Sequence, residues 1–154
     1  MNPYNQYQQI QVMSASPEQI LLMLYDGAIR FTRQGIKGIE ENDLLQFHYG
    51  IQKSLAIITE FSNSLDHSIG GKIAEDLDAL YDFMIRELTK ANIRKDVEKL
   101  RVVEKLLVDL RATWGEAVET NNREQMALPG VPVPPKAPTN HAMAEDYVPF
   151  SVTR

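Results

Sequence analysis

The stretch Ser16–Ile39, SPEQILLMLYDGAIRFTRQGIKGI, decides the fold. Its opening reads as a helix start. Ser16 can accept from the backbone N–H groups of a first turn, and Pro17 sits where a missing N–H costs nothing. Glu18 suits the positive helix end, and Gln19 completes a capping box. Ile20–Tyr25 then places only apolar and aromatic residues over almost two turns. A surface helix of a small domain needs an apolar stripe of roughly 100°. A helix apolar all round is expected to be covered all round, by its own bundle or by something docked on it.

Working outward, the first helix is expected over residues 17–40, with Leu21, Leu24, Ala28, Phe31, Gly35 and Ile39 on its packed face. Gly27, Gly35 and Gly38 each cost roughly 1 kcal/mol relative to alanine, while small residues let another helix approach closely. Asn42-Asp43, with Gln46 behind, restarts the chain as a second helix over 43–64. Phe47, Ile51, Leu55, Ile58 and Leu65 form its row, widened by Leu44, His48, Ile57 and Phe61. Gly70-Gly71 reads as a turn. A third helix is expected over 71–91, on Ile73, Leu77, Leu80, Met84 and Leu88, closed by Asn92. The fourth, over 96–122, repeats Leu100, Val103, Leu107, Leu110 and Trp114 at threes and fours, close to a coiled-coil seam. No stretch alternates as a strand does. Helices of roughly 33–40 Å joined by short loops make antiparallel neighbours. The expected class is therefore all-α, an up-down-up-down four-helix bundle.

The bundle is assigned to residues 16–124, between an arm and a tail. In the arm, residues 1–15, Tyr4, Tyr7 and Ile10 are three apart, so one turn could present them together to a surface. In the tail, residues 125–154, Pro129, Pro132, Pro134, Pro135 and Pro138 exclude helix and favour an extended or disordered chain. Tyr147-Val148-Pro149-Phe150 is an apolar island near its end, either a docking peptide or inert.

Composition narrows the function. The chain has 154 residues, enough for one domain with a real core. The net charge of −5 argues against nucleic acid or an anionic membrane as main partner. The absence of cysteine removes disulfides and thiolate chemistry and fits a reducing cytoplasm. The start of the chain lacks the pattern of a signal peptide, and its longest apolar run is far short of a membrane span.

Catalytic constellations are sparse. His48, His67 and His141 share neither a helix nor metal-ligand spacing, and no Glu-x-x-His, phosphate loop or Gly-x-Ser-x-Gly occurs. Glu40, Glu41 and Asp43 lie at a helix end and start, where charge belongs. His48 is a candidate for phosphotransfer on a helical bundle, but Lys53 falls on another face and Ile51 takes the position three residues on. The stronger signal is a surplus of neighbouring apolar residues, most of them doublets: Leu44-Leu45, Ile57-Ile58, Val102-Val103, Leu106-Leu107-Val108. Adjacent residues point about 100° apart on a helix, so each doublet broadens the apolar face. The doublets serve either a broad core or a second surface that takes a partner helix. The candidate groove residues are Ile51, Leu55 and Ile58 on helix 2, with Val103 and Leu107 on helix 4.

Several pieces together resemble the flagellar secretion chaperone family FliS. They are Ala15-Ser16-Pro17 and Leu24-Tyr25-Asp26-Gly27-Ala28 at the start, and Ser64-Leu65-Asp66 followed by Gly70-Gly71-Lys72-Ile73-Ala74. Asp76–Met84, Ala91-Asn92, Leu110-Arg111 and Trp114 continue the resemblance, which covers about residues 4–120 in order and spacing. It implies a cytoplasmic antiparallel helical bundle that is not an enzyme and needs no cofactor. Such a chaperone binds the disordered C-terminal segment of flagellin, prevents premature polymerisation and helps deliver it to the flagellar type III export apparatus. Other flagellar regulators are further candidate partners. The resemblance also implies that an arm carrying Tyr4, Tyr7 and Ile10 covers part of the binding surface until the client arrives. Two other readings stay open: a phosphotransfer bundle using His48, and an adaptor acting through its tail.

Overall fold

A computed structural model describes residues 5–6 and 15–126. Four helices follow one another: α1 Pro17–Glu40, α2 Leu44–Ser64, α3 His67–Arg94 and α4 Val97–Met126, with no strand among the described residues. The chain falls into two compact units, Leu24–Arg111 and the flanks Met1–Met23 with Ala112–Arg154. The fold is all-α, and the four-helix bundle core belongs to Leu24–Arg111.

The helix starts follow their caps. Ser16 and Gln19 form the reciprocal capping box: Gln19 N–H donates to Ser16 Oγ at 3.2 Å and Ser16 N–H to Gln19 Oε1 at 3.1 Å. Asp43 caps α2, its carboxylate accepting from Gln46 N–H at 3.1 Å. The third helix departs from expectation at both ends. It begins at His67 behind an Asp66 cap, and the non-helical backbone of Gly71 (φ 53°, ψ −125°) breaks this short first piece from the long helical run that follows, where the Gly70-Gly71 turn is expected. That conformation is open to glycine and strained for other residues. At its far end the helix runs past Asn92 to Arg94 and closes on Lys95, which adopts the left-handed conformation. The Asn92 side chain is occupied by His48 instead of by the backbone.

The packed face of α1 is rotated from the expected one. Tyr25, Ala28, Ile29, Thr32 and Ile36 are buried, whereas Leu21, Leu24, Phe31 and Ile39 are half-buried. Counting apolar residues alone passes over Tyr25 and Thr32. Both carry hydroxyls that find partners inside. The Tyr25 and Tyr81 hydroxyls lie 2.5 Å apart, and Tyr25 stacks on Phe61 with ring centroids 4.4 Å apart. Thr32 Oγ1 donates to the Ala28 carbonyl at 2.8 Å and lies 2.8 Å from Ser54 Oγ on α2. Ser54 completes the set by donating to Thr32, the Ala28 carbonyl being farther from it at 3.3 Å.

Glycine brings α1 and α2 together. A Cβ on Gly50 would lie 2.5 Å from the Phe31 carbonyl oxygen and from the Gly35 nitrogen. One on Gly38 would overlap the Phe47 backbone. No side chain fits at either point, so the backbones meet almost directly. Beside this crossing, Phe47, Ile51, Ile58, Met84, Leu88, Leu100, Val103 and Leu107 are completely buried. Ion pairs mark the α1–α4 register: Asp26–Arg111 (2.9 Å), Arg33–Glu104 and Glu40–Arg101 (2.9 Å). Asp26, Arg33 and Glu40 stand seven residues apart, which keeps them on one side of α1.

Candidate functional site: the outward apolar faces

The apolar doublets divide between inside and outside. Val103 and Leu107 are fully buried while their neighbours Val102 and Val108 are exposed. Ile57 and Ile58 both enter the core, and Leu44 and Leu45 both face outward. With Tyr49, Ile69, Ile73 and Ile93 they leave large apolar side chains in water on α2, α3 and α4.

The expected groove residues fare differently. Ile51, Ile58, Val103 and Leu107 have no exposed surface and form the bundle core, which corrects their placement in an open groove. They belong to the very rows that hold the helices together, so the bundle closes over them. Leu55, one position round from the buried Ser54, is half-buried and keeps a face toward solvent. Tyr4, Tyr7 and Ile10 lie outside the described residues. The exposed Leu45, Tyr49, Ile69, Ile73, Ile93 and Val102 were not among the expected site residues. The signal for Leu45 and Val102 was present, since each is one member of an apolar doublet.

One part of this surface is distinctly aromatic and cationic. The close α1–α2 crossing sets Phe31 edge-on to Tyr49, with ring centroids 5.9 Å apart and planes at 76°. The Arg30 guanidinium lies 5.0 Å from the Phe31 centroid and Lys53 Nζ 5.5 Å from that of Tyr49, both within cation–π range. Leu45 stands one turn before Tyr49 and is 85 % exposed.

His48 is exposed, and its Nδ1 donates to Asn92 Oδ1 at 2.7 Å. Lys53 is at the Tyr49 ring, on the other face as expected. Among the described residues no group of three or more His, Asp or Glu side chains could hold a metal ion, and no helix is long and apolar enough to cross a membrane.

The profile of the family described as Flagellar protein FliS matches residues 1–121. The chain belongs to the FliS family. A flagellar secretion chaperone FliS of Bacillus subtilis is 33 % identical over 130 residues, spanning 84 % of this chain and 96 % of that protein. One from Salmonella typhimurium is 38 % identical over 104 residues, 67 % of this chain and 77 % of the relative. One from Campylobacter jejuni is 32 % identical over 124 residues, 80 % and 94 % of the two chains. The FliS match ends at residue 121, before the proline-rich tail.

Proposed function

We propose that this FliS family member is a cytoplasmic export chaperone for flagellin. It binds flagellin's disordered C-terminal segment, keeps it from polymerising early and hands it to the flagellar type III export apparatus, without catalysis. The observation that carries this reading is a bundle with a closed core that still exposes large apolar side chains on three helices. Exposed apolar surface of this kind marks a place where something docks. An amphipathic client segment would gain helix against these faces, losing ordering entropy but burying apolar area in exchange. Leu55 and the outward doublet members meet the client in this reading. Ile51, Ile58, Val103 and Leu107 support those helices from within. Tyr4, Tyr7 and Ile10 cover part of the surface until the client displaces them.

Titration calorimetry of the full chain with a flagellin C-terminal peptide tests the proposal. Binding is expected with a negative heat-capacity change and a rise in helical circular dichroism. No binding at about tens of micromolar, where a Kd would correspond to roughly −6 to −7 kcal/mol, would sink it. Deleting residues 125–154 should leave the binding in place. Loss on deletion would point to an adaptor that works through its tail.

A further inference from the structure

Two side-chain bridges join α2 to α3. His48 Nδ1 meets Asn92 Oδ1 at 2.7 Å, and the Ser62 hydroxyl donates to Asp78 Oδ1 at 3.0 Å. The bridges are evenly placed. On α2 each lies seven residues from Leu55, and on α3 each lies seven residues from Ile85. The seam between the two helices therefore has a polar rung at either end and the half-buried Leu55 and Ile85 midway. Seven residues is about two helical turns, roughly 10 Å. Each rung has an acceptor to spare. His48 is exposed, and with its Nδ1 proton given to Asn92 its Nε2 is an acceptor without a partner among the described residues. Asp78 is half-buried and holds no cation among the described residues, whereas Asp76 has Lys72 at 3.1 Å and Asp82 has Arg86 at 3.4 Å.

The proposed function already gives Leu55 to the client. Resting on that reading, we propose that a client helix lies along the α2–α3 seam in a register fixed by the two rungs. An apolar side chain sits between Leu55 and Ile85. A hydrogen-bond donor about two turns to one side meets His48 Nε2, and a lysine or arginine about two turns to the other meets Asp78. A helix packed at a small crossing angle keeps pace with α2 and α3 over that length. Apolar contact alone would let the client slide by a turn, because successive apolar positions of an amphipathic helix are nearly equivalent. An acceptor covered without a donor is costly, and a covered carboxylate without a cation more so. Any other register is thus penalised at both ends, which is how a mostly apolar contact becomes selective.

Imidazole nitrogen NMR of the free full chain should show His48 as the Nδ1–H tautomer, and the Nε2–H form would overturn the assignment of the acceptor. Calorimetry then uses two model amphipathic helices with a central Leu flanked about two turns away by Gln on one side and Lys on the other, in the two possible orders. One order should bind about tenfold tighter than the same peptide with Ala at both flanking positions. His48→Phe adds apolar area but removes the acceptor. It should weaken that peptide and the flagellin C-terminal peptide about tenfold, and leave the Ala peptide unchanged or tighter. Asp78→Asn keeps a group for Ser62 to donate to, and should cost a similar factor together with most of the salt dependence of binding. Circular dichroism establishes that each variant is folded. Equal or tighter binding of the Gln/Lys peptide by His48→Phe, an unchanged salt dependence in Asp78→Asn, or no preference over the Ala peptide in either order would each overturn the proposal. Model peptides that behave as expected beside a flagellin peptide that does not bind would remove flagellin and keep the register. A flagellin peptide that binds both variants as well as the wild type would do the reverse.

Discussion

Thr32 and Ser54 place two hydroxyls in a core otherwise made of aliphatic and aromatic groups, and both are fully buried. Each hydroxyl has one proton. Thr32 uses its own on the Ala28 carbonyl and Ser54 uses its own on Thr32, so neither donor is stranded. Thr32→Val keeps the shape and removes the link. It should destabilise the fold by about 1–2 kcal/mol in urea unfolding, because Ser54 is left with only the longer bond to Ala28. Thr32→Val/Ser54→Ala should cost less than the sum of the two single changes, since removing both partners leaves nothing unsatisfied. Asp66 makes a prediction in pH. Chiefly the Ser68 hydroxyl, then the Ser68 and Ile69 N–H groups, hold its carboxyl below the ordinary aspartate range. A depressed folded pKa adds stability that is complete above the unfolded value and is lost as pH falls through the folded one. The first turn of α3 should therefore lose amide protection only in acid, below ordinary aspartate titration. Ser68→Ala should raise the Asp66 pKa, as read by carboxyl chemical shift against pH.

At the scale of elements, the α1–α2 crossing separates glycines that look alike in sequence. Gly50→Ala should destabilise by about 3 kcal/mol or more, since the new methyl meets backbone that cannot rotate away. Gly27→Ala meets only Ile57 Cδ1 at 3.5 Å, an ordinary contact. It should stabilise α1 by up to about 1 kcal/mol through helix propensity, and a pair of thermal melts distinguishes the two cases. The number, order and approximate bounds of the helices were legible because caps, apolar periodicity and turn residues agree along most of the chain. The rotation of α1 was not. Periodicity weighs Leu24 and Phe31 above Tyr25 and Thr32, and only the partner helices reveal that the hydroxyls of the latter are satisfied. The third helix misled for a related reason. Gly70-Gly71 does break the helical backbone, but the Asp66 cap lies upstream and starts a short helical piece before that break, which apolar periodicity gave no reason to expect.

At the scale of the whole molecule, what sequence could not separate was core from partner surface. The rows Phe47–Ile51–Ile58 and Leu100–Val103–Leu107 have the spacing of a groove as well as that of a core, and only packing decides that they face inward. The outward members are told apart by exposure, and that difference is measurable. Val103→Ala and Leu107→Ala should each lower stability by about 2–4 kcal/mol, through lost burial and a cavity left among helices that relax only partly. Their effect on flagellin-peptide affinity should vanish once the folded fraction is allowed for. Ile73→Ser and Val102→Ser, at positions 68 % and 44 % exposed, should change stability by less than about 0.5 kcal/mol and weaken the peptide affinity instead. Urea unfolding and calorimetry on the same four variants give both quantities. If the buried pair weakens binding at full folding while the exposed pair leaves it unchanged, the client must enter an opened bundle. The outward faces would then need another occupant.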